Sequence, residues 1–124
     1  MQVTSKDHNK LFADCQNRYL ENRNEKTLSE MYLILTDYYC NLFINYTHKK
    51  SLIWNDDEIR EKSFDASSRI IERFLRNPDF KVKEKLTGYA HWDFVWVLYH
   101  DKDYEINRRS FDSLMGNLQG KEEK

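Results

Sequence analysis

Hydrophobic and polar positions recur with a helical period along most of this chain. Leu11, Phe12, Cys15 and Tyr19 stand at i, i+1, i+4 and i+8, which marks one face of a helix over residues 5 to 22. Glu21 to Lys26 is wholly polar and reads as a connection. Thr27 then offers an N-cap with Glu30 three residues on, the pattern of a capping box. From Leu28 to Tyr46 the pattern is apolar on nearly every side. Met31, Leu35, Tyr38, Leu42 and Tyr46 form one stripe; Tyr32, Tyr39 and Phe43 form another. A helix that is apolar on most sides is buried on most sides, so this segment is the predicted centre of the domain.

Thr47 to Trp54 reads as a second connection, and Asn55 as the cap of a third helix with Asp56, Asp57 and Glu58 in its first turn. Ile59, Ala66, Ile70 and Phe74 line one face of it, with Phe64, Ile71 and Leu75 beside them. Asn77-Pro78 ends it, because proline disfavours a helical residue before it. Residues 79 to 86 form a loop carrying Lys81, Lys83 and Lys85. A further helix over 89 to 100 sets Tyr89, Trp92, Trp96 and Tyr99 at i, i+3, i+7 and i+10. A short helix is expected over 106 to 118 and a disordered tail over 120 to 124. The sum is an all-α, single-domain bundle of four to five helices spanning residues 1 to 119.

Composition agrees. Three glycines and one proline in 124 residues are too few for the turns of an all-β fold. A hydrophobic share of 40% beside a charged share of 33% fits a globular domain with a well-charged surface. Cys15 and Cys40 fall on apolar helix faces and read as buried, reduced thiols. No apolar run reaches the roughly 18 residues of a membrane span. The opening residues lack a secretion signal, so the expected location is the cytoplasm. The sequence holds no glycine-rich phosphate loop, no paired-cysteine motif, no metal-ligand pair on a helix and no nucleophile–base set. The expectation is a binding protein rather than an enzyme, with no cofactor and no metal.

The net charge of −1 argues against general affinity for polyanions, so any nucleic-acid contact has to be local. One local asymmetry exists. Residues 51 to 65 carry five acids and two bases, whereas residues 69 to 85 carry six bases (Arg69, Arg73, Arg76, Lys81, Lys83, Lys85) and three acids. The basic stretch leads into the aromatic helix of Tyr89, Trp92 and Trp96. Cations for phosphates beside π-faces for bases is what a single strand of nucleic acid requires. Core packing explains the same rings equally well, since they share a helical face.

Tyr89-Ala90-His91-Trp92-Asp93-Phe94-Val95-Trp96 resembles the Tyr-Ala-x-Trp-Trp-Ile-Arg-Gln stretch of bacterial and phage RNA polymerase sigma factors, in the second region, which melts the promoter. Glu58-Ile59-Arg60-Glu61-Lys62-Ser63-Phe64, followed by Ile70-Ile71-Glu72-Arg73-Phe74, is similar to the family's preceding helix. The likeness covers about residues 27 to 105. It implies a divergent, phage-type sigma-like transcription factor whose partners are the clamp helices of the polymerase largest subunit and single-stranded promoter DNA. By position it implies that Glu58, Glu61, Lys62 and Asp65 face the clamp. Tyr89 and Trp92 would hold the flipped base and wedge the duplex, Trp96 would also contact the DNA, and Lys81, Lys83, Lys85, Arg73 and Arg76 would steer the strand. The family's second Trp is Asp93 here, which sets an anion where DNA is expected; its Arg and Gln are Val95 and Trp96. The other reading of the chain is a non-catalytic helical protein-interaction module, such as a phage regulator or a virion component, with no DNA binding.

Overall fold

The computed structural model describes residues 5–50 and 54–100. These form four substantial helices, α1 (Ser5–Glu21), α2 (Glu25–Lys50), α3 (Asp56–Arg76) and α5 (His91–His100), with a single turn, α4 (Leu86–Tyr89), ahead of the last. No strand occurs among the described residues. The expected helix over 106 to 118 and the expected tail lie outside them. None of the helices described is long and apolar enough to cross a membrane.

α2 is the axis of the bundle, packed against α1 and α3. Met31, Leu35, Tyr39 and Phe43, four residues apart, are completely buried along it. α1 contributes Phe12, Cys15 and Tyr19, but Leu11 points outward and His8 takes its place in the core. The buried face is therefore His8, Phe12, Cys15 and Tyr19, and the His8 ring is held by Asp37 of α2 at 2.7 Å. Cys40 is only half-buried; both cysteines are free thiols.

α2 and α3 approach closely because small residues line their contact. Ala66, Ser63 and Ser67 are fully buried on α3. The two serine hydroxyls donate back to carbonyls four residues earlier, Ile59 at 2.7 Å and Ser63 at 2.8 Å, which settles polar groups that burial would otherwise penalise. Thr36 of α2 donates across to Ser67 at 3.2 Å.

The helix ends follow local chemistry. Asn55 caps α3: its side chain accepts from the Glu58 N–H, and the Glu58 carboxylate accepts from the Asn55 N–H. At the other end Asn77 is extended ahead of Pro78. α2 starts earlier than the Thr27–Glu30 pattern predicts. Asn24, a stronger cap, lies three residues upstream, and its side-chain oxygen accepts from the Thr27 N–H at 2.9 Å. Thr27 is instead buried, and its carbonyl accepts from the Cys15 thiol at 3.4 Å. At its far end α2 runs on to Lys50, into the segment expected to be a connection.

Candidate nucleic-acid interface

α3 and α5 run antiparallel along one side of the bundle. Arg73 meets Tyr89 and Asp93, and Arg69, one turn earlier on α3, meets Asp93 and Trp96. Arg69, Arg73 and Arg76 stand at i, i+4 and i+7, so they share a face of α3. With Glu72 they line a bowl of about 190 Å³.

The acid that joins the two helices is Asp93, only 2% exposed. Arg73 grips it with both terminal nitrogens, Nη1 to Oδ2 at 2.8 Å and Nη2 to Oδ1 at 2.6 Å. Arg69 adds Nε to Oδ1 at 2.9 Å. A lone carboxylate on an otherwise apolar helix can be buried only when cations and hydrogen bonds replace its water, and these two guanidiniums do so. The same bonds raise the pKa of Arg73 above its ordinary value, chiefly through the hydrogen bond to Asp93. Arg73 also donates to the Tyr89 hydroxyl at 2.8 Å. Burial pushes that phenol up, and Arg73 pulls it partly back.

Asp93 is therefore not the anion at a DNA surface that its alignment with the family's second Trp implies. It faces α3. The aromatic residues of α4 and α5 on which the family likeness rests divide accordingly. Trp96 has the Arg69 guanidinium 3.8 Å from its ring centroid and His100 stacked on it at 4.1 Å, so its ring is already engaged by the chain. Tyr89 is half-buried and tied to Arg73. Trp92, the residue before Asp93, is 73% exposed. Of the three rings expected to contact DNA, Trp92 is the one most open to solvent.

No family model matches this chain, and no curated protein or solved structure matches it either.

The expected lysines fall where the sequence places them. Lys81, Lys83 and Lys85 are exposed on the loop between α3 and α4, while Val82 between the first two is buried. The side-chain amide of Gln16, on α1, clamps that valine from both sides. It donates to the Val82 carbonyl at 3.1 Å and accepts from the Val82 N–H at 2.7 Å. Phe80 packs between Phe74 and Tyr89, which joins the loop to the arginine face.

The residues expected to face a polymerase clamp are not equivalent. Glu61 and Asp65 are exposed on α3. Glu58 is half-buried and serves the cap. Lys62 is a correction: it is only 4% exposed, with its ammonium 4.5 Å from the centroid of the Trp54 ring. It lies on the same face as Ile59, Ser63 and Ala66, so its stem packs in the core and its charge rests on the indole. It is not available to an outside partner. The residues that sequence reading missed are Arg69 and Asp93 as a pair. A single acid within the apolar run His91 to His100 is the signal for them, because it demands a basic partner from another helix.

Proposed function

We propose that this chain is a sigma-like, non-catalytic transcription factor domain. Its α5–α3 side receives an unpaired strand of promoter DNA, and its α3 docks on the clamp helices of RNA polymerase. The observations that support this reading are the open indole of Trp92 on α5, the arginine-lined bowl on α3 and the exposed lysine loop that joins the α3 and α4 segments. A ring for stacking next to a cationic rim is the pairing that binds single strands, and stacking on one aromatic is worth about 1–3 kcal/mol per base.

The test is tryptophan fluorescence during titration with single-stranded promoter DNA. Trp54 is buried and Trp96 is covered by Arg69, so quenching should report Trp92, weaken with salt and vanish in Trp92→Phe. Retention of core RNA polymerase on the immobilised chain tests the second partner. Glu61→Lys with Asp65→Lys should abolish it, whereas Glu58 is best left alone because it caps α3. A chain that neither quenches nor retains polymerase is not sigma-like.

A second reading, a helical protein-interaction module, is favoured by a different face. Leu28, Tyr32, Ser68 and Ile71 line a groove of about 370 Å³ between α2 and α3. Leu33 on α2 and Leu75 on α3, 64% and 62% exposed, are further apolar side chains open to solvent on those two helices. Exposed apolar surface of this kind marks a place for another protein. Leu33→Asp with Leu75→Asp should leave DNA quenching intact and remove any partner that this face binds.

A further inference from the structure

We infer that the bowl formed by Arg69, Arg73 and Arg76 is a seat for a phosphodiester of the bound strand, and that Asp93 is its positioning residue. This rests on the strand-binding reading above and adds to it the group that holds the backbone.

Donor accounting supports the seat. A guanidinium carries five N–H donors. Among the described residues, Arg69 commits one to Asp93, which leaves four. Arg73 commits three there, to Asp93 and Tyr89, which leaves two. Arg76 makes one loose contact among the described residues, 3.8 Å to Glu72. The charges are arranged in the same sense. Asp93 is buried and is not part of the lining, so its carboxylate fixes Arg69 and Arg73 without filling the bowl, and among the described residues Glu72 is the one acid along a lining of three guanidiniums. Forked, planar donors held in place match the paired oxygens of a phosphodiester. Trp92 precedes Asp93 on α5 and leaves the helix about 100° round from it, so base stacking on the indole and phosphate binding in the bowl are separate contacts.

Asp93 gives the idea a counter-intuitive test. Asp93→Asn removes a negative charge, which leaves the site one unit more positive. Simple attraction would tighten binding of a polyanion, whereas loss of the anchor that orients two arginines would loosen it. The experiment measures the fluorescence anisotropy of dye-labelled oligothymidylate with the full chain over a salt series. Arg76→Gln should lower the slope of log K against log salt by about 0.7, one phosphate on a single strand. Asp93→Asn should weaken binding several-fold. Trp92→Ala should weaken binding with the slope unchanged.

An unchanged slope in Arg76→Gln, or tighter binding by Asp93→Asn, overturns the seat while leaving the Trp92 result to decide the stacking reading. A lowered slope in Arg76→Gln with no effect of Trp92→Ala sinks stacking and keeps the seat. If inorganic phosphate raises the melting temperature in an Arg76-dependent way while the oligonucleotide does not bind, the bowl takes a free anion and the strand assignment is wrong. Should circular dichroism show Asp93→Asn unfolded, Arg76→Gln, on an exposed residue, decides alone.

Discussion

The guanidinium of Arg73 and the carboxylate of Asp93 form a two-point fork across the α3–α5 contact, with oxygens at 2.8 and 2.6 Å and the acid almost sealed from water. The two partners are unequal in exposure: Asp93 is 2% and Arg73 34% exposed. Arg73→Met leaves a buried carboxylate with Arg69 alone and should cost about 3 kcal/mol of stability. Asp93→Asn leaves two arginines that can turn to water and should cost about 1 kcal/mol. Urea denaturation of both variants gives the ranking; the reverse order would mean that the acid is not the desolvated partner.

Trp92→Ala should leave stability within about 0.5 kcal/mol of the parent, since so open a ring has little packing to lose. It should nonetheless cost about 1–3 kcal/mol in affinity for single-stranded DNA. Paired thermal melts and binding titrations separate these effects. Equal loss in both would place Trp92 in the packing of the bundle.

Alkaline pH should destabilise the fold. Burial lifts the phenols of Tyr38, Tyr39 and Tyr89 above their ordinary 10.0, Tyr39 most of all. Below that value both folded and unfolded chains keep these protons, and the stabilising contribution is fully present. Above it the unfolded chain releases protons that the folded chain retains, so stability falls as pH rises. Denaturation midpoints over an alkaline series should decline, and less steeply in Tyr39→Phe. That variant also loses the hydrogen bond from its hydroxyl to the Ala90 carbonyl at 2.9 Å. A flat series would contradict the assignment.

Asn55→Ala should cost about 1 kcal/mol by leaving the Glu58 N–H without its acceptor. Glu58→Ala should cost less, since the Asn55 N–H that it serves is solvent-exposed and water can replace the carboxylate. Chemical denaturation distinguishes the two, and equal costs would show that the reciprocal bonds act only together.

Much of the architecture could be read from periodicity. The helix over 28 to 46 is the core of α2, and the α3 boundaries at Asn55 and Asn77-Pro78 stand where the cap and the proline put them. What could not be read depends on which of two adjacent residues turns inward. Leu11 and His8 both fit a helical face, and α1 buries the histidine because Asp37 waits opposite it. Lys62 looks like surface by type, yet the Trp54 ring gives its charge a place inside. The site was half legible. The cations and aromatics were visible along the chain, but Asp93 reads as an obstacle to DNA until α3 is brought against α5. The positions of Arg69 and Arg73 then make it an anchor.

The Gln16 clamp on Val82 ties together residues 66 apart in sequence. The lysine loop consequently owes part of its shape to the docking of the N-terminal helix, beside the Phe80 contacts to Phe74 and Tyr89. Trypsin, which cuts after lysine, becomes a gauge of that docking. Resistance at Lys81 and Lys83 belongs to the assembled bundle, and a variant that lets α1 drift away should be nicked there faster than the parent, far along the chain from the change that caused it.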